Sequence, residues 1–238
     1  MQATANGVFT TVLVRDGEPH HLGLHLRRID QSARIAGLPA PDWRTVDARV
    51  TAALVEAGAT VRPSSRMRIR WDGDTLTVTA APFAGHDATT SALRADEARD
   101  PTAPAAGAKT EALGDQGRRL LAWAHERGAG EALLATTGGF LAEGATSNVF
   151  YVIGGELRTP TASTGLLDGI ARRLVLAATG GREVDAPYDV LRDADEVFLT
   201  SSLRGVQPVT SVDGREIGGP GPTTRAAQRA WQALPVGD

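Results

Sequence analysis

A single lysine is the first candidate for chemistry in this chain of 238 residues. Lys109 is the only lysine among 25 basic residues, and every other basic residue is an arginine. A lysine amine whose pKa is lowered by burial or by a nearby cation attacks carbonyl groups and moves protons, whereas a guanidinium group does neither usefully. A solvated lysine at a domain junction would give the same count. Composition alone therefore leaves a Schiff-base role for Lys109 as one of two interpretations.

A carboxylate in an unusual context is the second candidate. The run Glu143-Gly-Ala-Thr-Ser-Asn148-Val-Phe-Tyr puts a glutamate before small hydroxyl residues and an apolar strand. Charges in such a context are normally paired, and a carboxylate held there can pair with a protonated ring nitrogen. The alternative is a solvated glutamate at the end of a strand.

Two further segments are suited to a phosphate. In Thr164-Gly-Leu-Leu-Asp-Gly-Ile-Ala-Arg172, a glycine-containing turn opens a helix and would present unpaired backbone N–H groups. Ser201 and Ser202 follow an apolar strand at 197–200 and carry hydroxyl groups at its end. Each segment can equally be a plain helix cap or turn that binds no ligand.

Several classes of site are excluded by what the sequence lacks. The chain has no cysteine and therefore no disulfide, thiolate metal site or cysteine nucleophile. Its five histidines form no HExxH motif, and no GxSxG, Walker or GxGxxG motif occurs. We therefore predict no metal site and expect an organic cofactor or a lysine to carry the chemistry.

Charge and hydropathy limit the partners. The net charge is −3, which argues against non-specific nucleic-acid binding, since that needs a basic surface. No apolar run reaches the length of about 18 residues that a membrane span requires. The six residues before Gly7 contain no basic start followed by an apolar block, so no secretory signal is visible. We expect a cytoplasmic protein with a small-molecule substrate.

The elements that must position these residues fall into two regions. In the first, strands are predicted at 8–14, 67–71 and 76–80, with helices at 24–36 and from Pro41 to Leu54. Asp16-Gly17 is a hairpin turn signal, and Asp72-Gly73-Asp74 is a second turn. These elements predict a small α+β domain over residues 1–104.

The second region begins after a stretch of small residues. Residues 101–108 read Pro-Thr-Ala-Pro-Ala-Ala-Gly-Ala, which is typical of a linker or of an ordinary surface loop. Beyond it, strands are predicted at 131–136, 140–142, 148–153, 157–159 and 197–200, and helices at 112–127, 171–179 and 223–234. The predicted second domain covers residues 105–238 and has an α/β composition.

The order and spacing of these motifs carry a family resemblance. The sequence reads E-x-x-x-x-N-x-F from Glu143, then Thr159-Pro160, then L-L-x-G-I-x-R up to Arg172. Two further blocks are the residues 195–209 and 25–33. Over residues 6 to about 213 the chain resembles the class IV pyridoxal-phosphate (PLP) aminotransferases of fold type IV. That family includes branched-chain aminotransferases, D-amino acid aminotransferases and aminodeoxychorismate lyases.

The resemblance implies a fold, a cofactor and a set of roles. The fold is α/β (α+β), with a small N-terminal α+β domain and a larger C-terminal α/β barrel-like domain, and family members are usually homodimers. It assigns the Schiff base to Lys109, the cofactor phosphate to Arg28, the pyridine nitrogen to Glu143 and the ring face to Leu167. The remaining cofactor-binding residues that it implies are Asn148, Gly169, Ile170, Ala171 and Ser202. Ala171 stands where many relatives have threonine, so one side-chain contact to the phosphate is expected to be lost.

The choice of reaction depends on one strand. Phe9-Thr10-Thr11 resembles aminodeoxychorismate lyase, because transaminases usually carry an aromatic residue followed by glutamate there. By strand alternation Phe9 and Thr11 share a face, which we expect to contact the substrate, although plain strand propensity also explains the three residues. The resemblance implies conversion of 4-amino-4-deoxychorismate to 4-aminobenzoate and pyruvate, a folate-precursor step. Lys109 would be the general base, and Thr11 or Thr10 would assist proton transfer.

Two departures from the family keep alternatives open. The segment before Gly7 is shorter than in relatives, and the strand at 67–71 turns directly into the next strand without the loop that often carries a carboxylate-binding arginine. Arg66, Arg68 or Arg70 can substitute, and we predict Arg70 as the substrate-binding residue. The alternatives are a branched-chain or D-amino acid transaminase, the latter less favoured without that loop, and a non-catalytic binding subunit, which the retention of Lys109 argues against.

Overall fold

The structure is a computed structural model, and it describes residues 7–58 and 63–235. The described residues divide into two compact units. The first contains residues 7–58, 63–86 and 108–113 together with Pro235, and the second contains 87–107 and 114–234. This division differs from the predicted boundary after residue 104. Residues 87–104 join the second unit because they include a strand of its sheet, whereas Lys109 belongs to the first unit.

The first unit is an antiparallel sheet with two helices. Its elements are β1 (Val8–Arg15), β2 (Glu18–Pro19), α1 (Leu22–Ile35), α2 (Val46–Glu56), β3 (Ser64–Trp71) and β4 (Leu76–Pro82). The sheet order is β2-β1-β3-β4, and the turns predicted at 16–17 and 72–74 join neighbouring strands. Pro41 was predicted to open the second helix and does not. The chain first makes a 3-10 turn at Trp43–Thr45, where Asp42 accepts a hydrogen bond from the Arg44 N–H, and α2 then begins at Val46.

Alternation along β1 and β3 gives the sheet two different faces. Val8, Val12, Met67 and Ile69 are fully buried in one core cluster with Ile29 of α1. The other face of the same strands carries Phe9 and Thr11, paired in register with Arg70 and Arg68. Burial of the apolar face therefore fixes which side chains line the opposite one.

The second unit is built on a nine-stranded mixed sheet. Its strands are β5 (Thr90–Arg94), β6 (Glu131–Ala135), β7 (Leu141–Gly144), β8 (Asn148–Ile153), β9 (Glu156–Thr159), β10 (Arg182–Glu183), β11 (Glu196–Ser201), β12 (Gly205–Val212) and β13 (Arg215–Glu216). The helices are α3 (Glu111–His125), α4 (Ile170–Thr179) and α5 (Pro222–Gln232), of which α3 begins in the first unit. The strand order is β10-β9-β8-β11-β12-β5-β6-β7, with β13 pairing to β12. Both units thus combine helices and strands, as predicted.

The central strands β8 and β11 are buried on both faces. Phe150 and Phe198 stack with their ring centroids 4.9 Å apart, in a cluster with Val175 of α4. On the other face, Tyr151 and Leu199 belong to a second core cluster. Burial on both faces explains why these segments are continuous apolar runs rather than alternating ones. Their rigid packing fixes the positions of the polar residues at the strand ends. Among the described residues, no helix has the length and apolar character needed to cross a membrane.

Candidate functional site

The backbone of Lys109 is held by two elements of the first unit. Its carbonyl accepts a hydrogen bond from the Phe9 N–H of β1 at 3.0 Å, and its own N–H donates to the Ser32 hydroxyl of α1 at 3.1 Å. The next residue, Thr110, forms a β-bridge with Val8. These contacts direct the side chain so that its amine nitrogen lies 4.9 Å from the centre of the Phe9 ring. Lys109 is therefore a fixed residue, not a stray lysine on a mobile linker.

A buried histidine lies close to Lys109 and Arg28. His25 of α1 is 2% exposed and shares a 2.6 Å hydrogen bond through Nδ1 with the Thr10 hydroxyl of β1. Burial, and to a smaller extent the neighbouring charges of Arg28, Lys109 and His21, lower the pKa of His25 to about 3. The imidazole is therefore neutral and adds no third positive charge beside the two cations.

The predicted substrate face contains more charged residues than the sequence indicated. The guanidinium carbon of Arg68 lies 3.7 Å from the centre of the Phe9 ring, a cation–π contact. Glu111 lies 2.9 Å from Arg68 Nη2 and 3.4 Å from Arg70 Nε. Thr11 lies on this face opposite Arg68, whereas Thr10 points to the opposite side and contacts His25. Sequence reasoning missed Glu111 and His25, although His25 begins one of the family blocks.

In the second unit, Glu143 and Asn148 hold the backbone of Leu167 between them, one at its N–H and the other at its carbonyl. The Leu167 N–H donates to Glu143 Oε2 at 3.0 Å, and Asn148 Nδ2 donates to the Leu167 carbonyl at 2.8 Å. The second carboxylate oxygen of Glu143 lies 3.0 Å from Arg99 Nη2, and both side chains are largely buried. The contacts to Arg99 and to the Leu167 N–H stabilise a negative charge on Glu143. The spacing of Glu143 and Asn148 in the sequence thus has a structural reason, and Arg99 is a member of the site that sequence reasoning missed.

The start of α4 presents backbone donors. Gly169 is its N-cap and offers no side-chain cap within the described residues, so the first N–H groups, on Ile170 and Ala171, are suited to an anion. A Cβ on Gly169 would lie 2.1 Å from Asn148 Oδ1, which explains why this position holds glycine.

Hydroxyl groups at the end of β11 complete this region. Asn148 pairs in register with Thr200. The Thr200 hydroxyl is buried and has no hydrogen-bond partner among the described residues. A buried hydroxyl without a partner fits a ligand oxygen. Ser202 follows in the β11–β12 turn and is partly exposed. The donors of this unit, a helix N-terminus and hydroxyl groups, have the chemistry that a phosphate requires.

A family model now decides the assignment. The model described as amino-transferase class IV matches residues 7–212. The chain belongs to this family. Class IV aminotransferases are PLP-dependent enzymes. Within the first unit, the fixed Lys109 and the buried Arg28 have the chemistry that suits an aldehyde and a phosphate. Within the second unit, the held Glu143 carboxylate and the N–H groups at the start of α4 have the chemistry that suits a ring nitrogen and a phosphate. No group of three or more side chains suited to a metal occurs within residues 7–58 and 63–235.

Individual relatives agree with the family assignment. The class IV chain is 29% identical over 242 residues to a Mycobacterium tuberculosis protein described as bifunctional aminodeoxychorismate lyase / D-amino acid transaminase, covering 89% of this chain and 83% of the relative. It is 25% identical to a solved hypothetical aminotransferase from the same species in its apo form, with a TM-score of 0.85 over 98% of this chain and 92% of that one.

The PLP-bound form of that aminotransferase gives a TM-score of 0.83 at 24% identity, over 98% and 92% of the two chains. The predicted α/β class and fold type IV are therefore confirmed.

Proposed function

We propose that this class IV enzyme is a lyase that converts 4-amino-4-deoxychorismate to 4-aminobenzoate and pyruvate, a folate-precursor step. The observation that carries the proposal is the face of β1 and β3. There Phe9 and Thr11 lie with two arginines, Arg68 and Arg70, and the Lys109 amine lies 4.9 Å from the Phe9 ring centre. A substrate with two carboxylates is complementary to two guanidinium groups, one of which is held over the Phe9 ring by a cation–π contact.

The two arginines have a carboxylate partner already. Glu111 contacts both of them, at 2.9 and 3.4 Å, and Asp72 also accepts from Arg70 Nη1 at 2.7 Å. A substrate carboxylate would exchange with Glu111, so that the guanidinium groups are never left without an acceptor. Because Arg68 lies over the Phe9 ring, its guanidinium group is already held in place before the substrate arrives.

Proton movement is assigned to residues on the same face. The Lys109 amine would act as the general base, and its backbone contacts to Phe9 and Ser32 keep it in place. Thr11 would assist proton transfer to the departing group. Thr10 does not suit that role, because its hydroxyl is buried and already hydrogen-bonded to His25.

Each unit contains residues that the family resemblance assigns to PLP. In the first, Lys109 would bond to PLP and Arg28 would bind its phosphate. In the second, Glu143 would face the ring nitrogen and Leu167 the ring, while phosphate donors would be the N–H groups of Ile170 and Ala171 and the hydroxyl of Ser202. Asn148 and Gly169 would act through the Leu167 backbone and the start of α4. Bound PLP supplies an electron-accepting ring, and a carboxylate at the ring nitrogen keeps that nitrogen protonated.

A transaminase on the same cofactor is the second candidate. It is favoured by the Mycobacterium tuberculosis relative, which is described as having lyase and D-amino acid transaminase activities. Branched-chain transamination is the other form of this alternative.

One experiment separates these functions. Purified protein is given aminodeoxychorismate, and 4-aminobenzoate is measured by fluorescence. Separately, it is given D-alanine, L-leucine or L-glutamate with a keto acid, and new amino acid is measured. Pyruvate alone is not used as the lyase signal, since D-alanine also yields it. Formation of 4-aminobenzoate supports the lyase, and amino acid formation without it refutes the lyase in favour of transamination. PLP binding with neither product would indicate a non-catalytic binding subunit.

Arginine variants test substrate recognition directly. Arg68→Met and Arg70→Met should each raise KM for aminodeoxychorismate about tenfold or more, since each removes a charged hydrogen-bond donor. Arg66→Met is the matched control, because Arg66 is on the same strand and exposed. Equal KM values for all three variants would refute this role.

Association of two copies is part of the same proposal and rests on the family resemblance. Light scattering on the purified holoenzyme measures its molar mass, and we expect twice the chain mass. A monomer that is fully active would refute the homodimer.

A further inference from the structure

An ion pair in the second unit is almost completely removed from solvent. Arg204 Nη2 lies 2.8 Å from Glu131 Oε2, and the two side chains are 3% and 0% exposed. Burying two charges costs desolvation free energy, and well-packed apolar residues usually give equal or greater stability at such a place. The pair therefore needs an explanation other than stability, and the cofactor roles proposed above do not include it.

Glu131 accepts hydrogen bonds from two hydroxyl groups of the turn at residues 144–147. Its Oε2 accepts from the Thr146 hydroxyl at 2.9 Å and the Ser147 hydroxyl at 3.0 Å, and its Oε1 accepts from the Ala132 N–H. A Cβ on Gly144 would lie 2.3 Å from Ser147 Oγ and 3.3 Å from Glu131 Cδ. Glycine at this position thus allows the turn to close over the carboxylate.

The two ends of that turn are the residues that hold the Leu167 backbone. Glu143 precedes Gly144, and Asn148 follows Ser147. Their side chains contact the N–H and the carbonyl of Leu167 at 3.0 and 2.8 Å. Any displacement of the turn would move both contacts together.

Arg204 connects the same carboxylate to a second segment. Its backbone N–H donates to the Ser201 hydroxyl at 3.2 Å, within the β11–β12 turn that contains Ser202. Its Nη1 donates to Gln207 Oε1 at 2.6 Å, and Gln207 in turn donates to the Asp87 carbonyl at 2.8 Å. The guanidinium group is thus held by Glu131 and Gln207, and the backbone of Arg204 by Ser201.

We propose that Glu131 and Arg204 are positioning residues, whose buried ion pair fixes the 144–147 turn and the β11–β12 turn and so sets the geometry of Glu143, Asn148 and Ser202. The roles of these three residues toward PLP rest on the proposed function, whereas the positioning of the Leu167 backbone does not. The buried charges fix the geometry of the turn, because a carboxylate that accepts from four donors holds it in one arrangement.

The test uses a double variant, Glu131→Met/Arg204→Met. Removing both charges together should cost less unfolding free energy than removing either one alone, because no buried charge is left unpaired, although Thr146, Ser147 and the Ala132 N–H lose their acceptor. The matched control is Asp189→Asn/Arg192→Gln, which removes one exposed ion pair in the same unit and also leaves the net charge unchanged. Unfolding is followed in urea for all three proteins and for the two single variants.

The first measurement needs no cofactor. Hydrogen exchange of the Leu167 amide is followed in the apo-protein, and the double variant should exchange roughly tenfold faster or more, while the control matches wild type. Unchanged exchange at Leu167 overturns the proposal. If the double variant does not fold, Ser147→Ala, which keeps both charges, gives the same readout. Faster exchange there supports the proposal, and unchanged exchange overturns it.

The second measurement is the Kd for PLP, titrated by absorbance. Under conditions where both proteins are fully folded, the double variant should bind PLP roughly tenfold more weakly than wild type, whereas the exposed-pair control should match wild type; a loss of stability alone would not produce this difference. Equal affinity and an equal absorbance spectrum in the double variant and wild type overturn the link to the cofactor. Failure of the wild-type protein to bind PLP would instead refute the proposed function, leaving the exchange result to decide the positioning role.

Discussion

Acidification should destabilise the folded protein through His25 in particular. The pKa of His25 in the folded chain is lowered to about 3, chiefly by burial and secondarily by Arg28, Lys109 and His21. In the unfolded chain its pKa is about 6.5. Because the folded value is the lower one, the neutral ring contributes stability fully above the unfolded value and loses it as the pH falls towards the folded value. Between these limits the unfolded chain binds a proton that the folded chain does not.

The size of the effect follows from that window. At about pH 4.5 the ring is still neutral in the folded chain and charged in the unfolded chain. This pH lies roughly two units below the unfolded pKa, and each unit corresponds to about 1.36 kcal/mol. His25 alone should therefore lower the unfolding free energy by about 3 kcal/mol relative to neutral pH. The His25→Asn variant keeps a side chain that can hydrogen-bond to Thr10 and does not titrate. His125→Asn is the control, since His125 lies exposed at the end of α3.

The assay is urea unfolding of the three proteins at neutral pH and at about pH 4.5. The carboxylates are common to all three proteins, so their contributions cancel in the comparison. Between neutral pH and about pH 4.5, the unfolding free energy of wild type and of His125→Asn should fall by about 3 kcal/mol more than that of His25→Asn. Equal losses in all three proteins would refute the reasoning. As an independent check, the His25 ring signal in an NMR titration should not shift until well below pH 5, and titration near neutral pH would refute the buried neutral state.

Two further predictions concern the second unit. Gly169→Ala places a Cβ 2.1 Å from Asn148 Oδ1 and should lower the unfolding free energy, measured by urea unfolding, by about 1–3 kcal/mol. Gly219→Ala is the control, because a Cβ there has nothing within 4 Å, and it should change the unfolding free energy little. Equal effects of the two substitutions would contradict the close approach at Gly169. Arg99→Met leaves the buried Glu143 carboxylate without its cation and should lower the unfolding free energy by about 3 kcal/mol. Arg119→Met removes an exposed ion pair and should lower it by less than about 1 kcal/mol. Thermal and urea unfolding of the two variants would test this, and equal losses would contradict it.

Local patterns in the sequence predicted most elements of the first unit. The alternation in β1 and the turn signals at 16–17 and 72–74 act over a few residues, so the strands and their hairpins followed from them. The second helix was placed too early, because Pro41 suits a helix start but the chain makes a 3-10 turn first. Strand β5 was not predicted, since its partners β6 and β12 are parallel and distant in sequence, and no hairpin signal marks it.

The candidate site shows the same limit. The order of Arg28, Lys109, Glu143 and the L-L-x-G-I-x-R motif indicated the family, which the structure and relatives confirm. Contacts between segments that are distant in the sequence had no motif that could predict them. Arg204 contacts Glu131 at a sequence separation of 73 residues, and Arg68 contacts Glu111 at a separation of 43. Such contacts depend on how strands are ordered in a sheet, which spacing along one chain does not determine.

The covalent bond proposed between Lys109 and PLP can be located chemically. Borohydride reduction of the yellow holoenzyme fixes the cofactor to the amine that it is bonded to, and peptide mapping by mass spectrometry then locates that amine. Because Lys109 is the only lysine, we expect a pyridoxyl group on the peptide containing Lys109 and loss of both the label and the near-visible absorbance in Lys109→Arg. A label on the N-terminal amine, or unchanged absorbance in Lys109→Arg, would contradict the proposed bond.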